Sequence, residues 1–226
     1  MKRILAGVLC LLMVLALSAC AVQIAFQPKN TQPPSAAAET TAPLEQEDMA
    51  EIQGSFADGV YTNTCLGIQG VFDESWYIAS DEERMELMGI LAEEVNEEAL
   101  AEQFRSAGNI IVFYAQDSNG SSVNMTIEDL GLRSAFITEE IYVAASLEQI
   151  PEVLESMGVS FVRVDQTTYS ISGVEHAAVD VHGYVNGVDF HEKIVCIQAG
   201  NYMGAITAAC YGNNLTAKML RAFSAI

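Results

Sequence analysis

Four stretches rich in β-branched and aromatic residues, 161–171, 174–184, 188–198 and 202–211, follow one another with gaps of only two or three residues. A connection that short cannot return the chain to a parallel neighbour, which needs a crossover of a dozen residues or more, so each strand must fold back on the one before it. Asn186-Gly187 is a two-residue hairpin signal, because both central residues of a type I′ turn take positive φ, and Gly200-Asn201 reads as a type II′ turn with glycine first. These turns set the register. His182 falls opposite His191, Asp180 opposite Lys193 and Tyr184 opposite Asp189 on one side, while Val179, Val181, Val185, Val188, Phe190 and Ile194 share the other. The second turn places Cys210 opposite His191. The C-terminal half is therefore expected to be an antiparallel sheet with one apolar face and, near the hairpin tip, one polar face.

Upstream, residues 59–63 and 67–72 read as two short strands, with Trp76 and Tyr77 after them as an aromatic anchor. Ser80-Asp81-Glu82-Glu83 has the pattern of a capping box, the serine side chain accepting a free helix amide and Glu83 reaching back, which predicts a helix starting there. A second helical stretch before Gly108 carries Leu91, Val95, Leu100 and Phe104 as an apolar stripe. Strands over 109–117 and 122–129 flank Asn119-Gly120, a further two-residue turn signal with both residues expected at positive φ. Residues 137–157 have helical spacing, with a break at Pro151 and a stop at Gly158. A last helix is capped by Asn213 or Asn214, with Leu215, Met219, Leu220 and Phe223 inward.

The N-terminus carries an address. Lys2 and Arg3 precede an almost wholly apolar run from residue 4 to 17, the pattern of a secretory signal and too short for a comfortable membrane span. Leu17-Ser18-Ala19-Cys20 resembles the bacterial lipobox, which implies cleavage before Cys20 and a diacylglycerol on its sulfur. Residues 1–19 are thus expected to be a signal peptide. Residues 20–53, with four of the five prolines and no Tyr or Trp, are expected to be the lipidated cysteine and a flexible tether, and residues 54–226 the globular domain. The expected location is the extracytoplasmic face of the cell membrane, held by the lipid on Cys20.

Charge narrows the partners. Ten Lys and Arg against thirty Asp and Glu give a net charge of -20, so the surface repels phosphates and a nucleic-acid partner is excluded. A protein partner with a basic surface suits it. A dense share of the acids lies between Asp73 and Glu102, where Arg84 is the one base before Arg105, and reads first as solvated helix faces. Asp117-Ser118-Asn119-Gly120 is better read as a turn than as the start of a calcium loop.

Gly59, Tyr61, Asn63, Gly67 and Trp76 stand in order before the acidic capped helix; the Tyr114 strand, the 144–158 helix, Gly173 and Gly200-Asn201-Tyr202 follow. Over most of residues 54–226 the chain in this respect resembles the PsbP-like lipoproteins of Gram-positive bacteria. The resemblance implies an α+β fold, an α/β/α sandwich around a largely antiparallel sheet, as in photosystem PsbP and the yeast Ran-release factor. It also implies a domain that binds partners, with no shared catalytic residues to carry over.

The residues themselves present one candidate constellation. His182, His191 and Cys210, aligned across three adjacent strands, are ligand types suited to zinc or copper. Against this, in-register neighbours sit about 5 Å apart, wider than one metal prefers without convergent rotamers. The same pair, if both protonated, should loosen the hairpin below about pH 6. Cys65, Cys196 and Cys210 form an odd set in an exported chain and are expected to be buried thiols rather than a disulfide network. No nucleophile elbow, phosphate loop, zincin helix or dinucleotide fingerprint occurs, so the chain is read as non-enzymatic with no required cofactor. Two functions follow: a membrane-anchored protein-binding or assembly-supporting lipoprotein, and a metal or small-ligand binding lipoprotein using the His182/His191 face.

Overall fold

The computed structural model describes residues 46–89, 100, 101, 104 and 106–226. Eleven strands form two antiparallel sheets among these residues. The smaller contains β1 (Ser55–Ala57), β2 (Val60–Asn63), β3 (Ile68–Val71) and the C-terminal β11 (Phe223–Ala225), in that order. The larger holds β4 (Trp76–Ile78), β5 (Asn109–Asp117), β6 (Ser122–Asp129), β7 (Val159–Ile171), β8 (Val174–Val185), β9 (Val188–Ala199) and β10 (Tyr202–Tyr211). Its strand order is β4-β5-β6-β10-β9-β8-β7. The helices are α1 (Gln46–Gln53), α2 (Asp81–Leu87), α3 (Glu139–Leu147), α4 (Ile150–Ser156) and α5 (Thr216–Leu220).

The meander behaves as its turns require. Asn186 and Gly187 have φ of 51° and 79°, the two positive values of a type I′ turn, and Ser172 and Gly173 form a second such turn with 50° and 86°. Gly200 alone is positive in its turn, at 57°, as type II′ demands. His182 pairs with His191, and His191 with Cys210. The turn at Asn119-Gly120 differs from expectation. Only Gly120 is positive there, and Asp117 N–H bonds to Ser121 O across a three-residue loop, the pattern of a type I turn closed by a glycine bulge. The reason is local: the Asp117 carboxylate accepts N–H bonds from both Asn119 and Ser121 and holds the chain in an Asx turn.

The large sheet is covered on both faces. On one, the small sheet, α1, α5 and the helical residues Leu100, Ala101 and Phe104 close a core with Ile110, Phe113, Met125, Ile127, Val195 and Ile206. On the other, Tyr142 and Val143 of α3 and Ile150 and Leu154 of α4 pack on Val179, Val181, Phe190 and Ile194. The α+β sandwich is as expected, with the refinement that one outer layer is part sheet and part helix.

Three boundaries shift. Residues 46–53 belong to the folded domain, because Met49 and Ile52 lie one helical turn apart on α1 and are both buried in the core. The tether reading of residues 46–53 is therefore corrected. Helix 137–157 is indeed broken, at Glu148-Gln149, and Pro151 sits in the first turn of α4 where its missing N–H costs nothing. Leu215 is exposed and precedes α5 instead of facing inward; Asn214 caps the turn, accepting from the Thr216 N–H and hydroxyl, while Met219, Leu220 and Phe223 are buried. The capping box forms as read, with Ser80 and Glu83 exchanging bonds. Leu91, Val95 and residues 1–45, including the signal and Cys20, lie outside the described residues.

Candidate functional site

Strand register builds a polar row on the face of the large sheet next to the hairpin tip: Arg163 on β7, His182 on β8, His191 on β9 and Cys210 on β10. The two imidazoles stack almost parallel, 5° apart, with centroids 4.7 Å apart. His182 Nε2 lies 2.9 Å from Asp189 Oδ1. Ligand atoms of His182, Asp189 and His191 all fall within 4.8 Å of one another. Beside them Lys193 pairs with Asp180 at 2.5 Å, and Arg163 is engaged by Asp165.

Cys210 does not join this group, which corrects the expected His182, His191 and Cys210 set. It is in register but fully buried, and its Sγ accepts the Leu215 N–H at 3.2 Å and lies 3.5 Å from the Asn213 carbonyl. The loop leading to α5 folds over the sulfur, and burial pushes the thiol above its ordinary range. Asp189, two residues nearer the turn than His191 on β9, supplies the third ligand type in its place.

His176 has a separate role. The β8–β9 ladder runs from Val185 and Val188 to Ala178 and Val195 and stops, after which the two strands diverge, β8 staying with β7 and β9 with β10. Glu139, at the start of α3, fills the opening. Its Oε2 accepts the Ala177 N–H of β8 at 3.1 Å, its Oε1 accepts the Gln198 N–H of β9 at 2.9 Å, and His176 Nδ1 stands 3.0 Å from Oε1. One carboxylate thus replaces two missing ladder bonds.

Sequence reasoning passed over a third arrangement. Ser122, Asn124, Thr126 and Glu128 alternate with apolar residues along β6, the pattern of a half-solvated strand, yet all four are buried. They share the α3–α4 side of the sheet with Thr207 of β10 and Glu192 of β9. Glu128 accepts a bond from the Tyr142 hydroxyl at 2.8 Å and stands 3.7 Å from Arg133; burial nonetheless pushes its carboxyl up to about 7. Glu192 is 1% exposed, neither oxygen has a hydrogen-bond partner, and burial alone pushes it up to about 8. The one signal that could have found it is an acid inside a run otherwise apolar on alternate positions, Phe190, Glu192 and Ile194.

The thiols are poorly placed for nucleophilic chemistry. Cys65, Cys196 and Cys210 are all free; burial raises Cys65 to about 11 and moves Cys196 further in the same direction, aided by Glu139 and Glu128. His176 and His182 are each held by a carboxylate, and His191 stacks on His182.

No protein-family model and no curated protein matches the sequence. Among solved structures the chain is similar to the cyanobacterial PsbP (CyanoP) from Synechocystis, at 10% identity and a TM-score of 0.43 over 76% of this chain and 98% of that one. It is also similar to LpqN of Mycobacterium tuberculosis, a protein involved in cell envelope biogenesis, at 13% identity and a TM-score of 0.32 over 70% and 82% of the two chains. A protein of Bacteroides thetaiotaomicron matches at 12% identity and a TM-score of 0.31 over 71% of this chain and 45% of its own length. These are likenesses of chain path, and no residue role passes from them to this protein.

Proposed function

We propose that this chain is a lipoprotein of a Gram-positive envelope, anchored through Cys20 to the extracytoplasmic face of the membrane, whose domain binds a protein partner and performs no catalysis. Among the described residues no helix is long and apolar enough to cross a membrane. The anchor reading rests on Lys2, Arg3, the apolar run 4–17 and Leu17-Ser18-Ala19-Cys20. Two acyl chains suffice for stable anchoring where one is marginal. Cells fed radiolabelled palmitate are expected to label the wild-type chain and not the Cys20→Ser variant; equal labelling of both would refute lipidation at this residue.

The observation that carries the binding reading is a run of exposed apolar residues in the segment that leads into α3. Leu132 and Phe136, on a 3-10 turn over Gly131–Ala135 and its end, are 86% and 79% exposed, and Ile141 on α3 is exposed beside them in sequence. Glu140 is exposed in the same stretch, and the whole chain is acidic, so the complementary surface is an apolar pocket with a basic rim. A photo-crosslinking residue at position 136 of the native, membrane-bound chain should give a discrete adduct that the Leu132→Asp exchange removes. Adducts no different from those of the exposed control position 174, and indifferent to Leu132→Asp, would sink the reading.

The hairpin supports a second reading, a zinc or copper site of His182, Asp189 and His191, because three ligand atoms already converge within 4.8 Å. Three protein ligands leave a tetrahedral zinc one open position for water or for a partner side chain. Zinc at a hundredfold over its dissociation constant should stabilise the chain by about 2.7 kcal/mol. His191→Gln should weaken binding at least tenfold, with elemental analysis as the second readout. Unchanged zinc affinity in both His182→Gln and His191→Gln would eliminate the site.

A further inference from the structure

Glu192 is not the only unpartnered group on its face of the sheet. The Ser122 hydroxyl, both ends of the Asn124 amide, the Thr207 hydroxyl and the Gln116 amide nitrogen are also buried without a hydrogen-bond partner. Native proteins leave few such groups, and each one left without even water is costly. These are not scattered. Asn124 sits directly opposite Thr207; Ser122 and Glu192 flank Ala209 on its two sides, and Gln116 is the next strand's neighbour of Ser122.

We propose that this face of the large sheet is an interior binding site for a small organic cation, a primary amine whose ammonium group meets Glu192 and whose remaining polar groups meet Asn124, Ser122 and Thr207. Ala205 and Ala209, the residues adjoining Thr207 on this face of β10, are both small and both buried. Ser122 and Glu192 stand two strand spacings apart, about 10 Å between their backbones, a span suited to a molecule of a few heavy atoms held from both ends. The apolar packing of α3 and α4 covers β8 and β9 and reaches Met203, Ala205 and Ala209 of β10, and the Ile111, Tyr114 and Leu87 cluster lies beyond, on β5 and α2. The polar groups between them therefore form a patch with apolar borders, as small-molecule sites commonly do.

Charge selects the class of ligand. A buried carboxylate needs a counter-charge, and the basic residues with described ion pairs are engaged elsewhere: Arg84 with Asp81, Arg133 with Glu128, Arg163 with Asp165 and Lys193 with Asp180. Nothing in the protein's own interactions lowers the carboxyl's proton affinity; burial is the sole influence on it. An ammonium ion would do so, and its arrival at neutral pH would displace a proton from Glu192 to solvent.

The test uses the full chain in a non-ionic detergent, titrated with ethanolamine and putrescine, with glycerol and glucose as neutral probes and sodium chloride at matched ionic strength. The expected result is a saturable rise in melting temperature with at least one amine, accompanied at pH 7 by proton release in calorimetry run in buffers of different ionisation enthalpy. Glu192→Gln should weaken the amine at least tenfold, and Thr207→Val, which keeps the side-chain shape, severalfold. No saturable response to either amine, a response to the polyols alone, or an equal response in Glu192→Gln would overturn the proposal and leave these groups to buried water. Should Glu192→Gln fail to fold, an unchanged amine response in Thr207→Val overturns it in the same way.

Discussion

Glu139→Ala is expected to destabilise the domain by about 2–4 kcal/mol, since it strips the acceptor from two strand amides and each buried donor left unpaired costs about 1–3 kcal/mol. The amides are those of Ala177 and Gln198, on strands that have already parted and cannot pair with each other. For a domain of this size about 1 kcal/mol corresponds to roughly 2–4 °C, so the melting temperature should fall by about 5–15 °C. Glu139→Gln keeps one carbonyl oxygen and should recover about half of the loss. His176→Ala, which removes a side-chain neighbour and no backbone partner, should cost less than either. A Glu139→Ala variant within about 0.5 kcal/mol of wild type would show that water replaces the carboxylate in the opening, and that the divergence of β8 and β9 does not depend on it.

The second large effect is in pH. Glu192 and Glu128 have carboxyls pushed up by burial to about 8 and about 7, against an ordinary value of about 4.3 in an unfolded chain. Between those limits the folded protein binds more protons than the unfolded one, so the stability these two groups contribute is fully present below about pH 4.3, falls as pH rises through this window, and is gone above about 8. One pKa step is worth about 1.36 kcal/mol, which makes the Glu192 contribution on the order of 5 kcal/mol across the window. Relief of repulsion on the acidic surface acts in the same direction, so the comparison that isolates the buried acid is wild type against Glu192→Gln. The two should melt alike near pH 4 and separate progressively toward pH 8.5, the variant being the more stable. Parallel curves across that range would mean that Glu192 does not titrate with folding.

Much of the frame was legible because it rests on local rules. Strands 202–211, 109–117 and 122–129 stand where alternation and turn residues put them, and the register of His182, His191 and Cys210 follows from two turns whose φ signs are dictated by Asn186, Gly187 and Gly200. The capping box at Ser80 is legible for the same reason, since both of its bonds span three residues. Where a local rule had a local competitor it failed: Asp117 captured the amides of Asn119 and Ser121 and turned a two-residue hairpin into a bulged one. Register alone also overreached at Cys210, because being opposite His191 does not decide where a sulfur is aimed once the loop before α5 lies over it.

By itself, then, the amino-acid sequence determined the strands, the order of their hairpins, the acidity of the surface and which side chains share a face. Tertiary structure decided what lies over each face. Alternation along Ser122, Asn124, Thr126 and Glu128 is the same whether those residues meet water or the interior, since a period of two reports the pleat and not the neighbouring layer. Only the folding of distant segments onto both sides of the sheet buried that polar row and Glu192. The same holds for Glu139, whose partners on β8 and β9 lie 38 and 59 residues away, a distance no local pattern encodes.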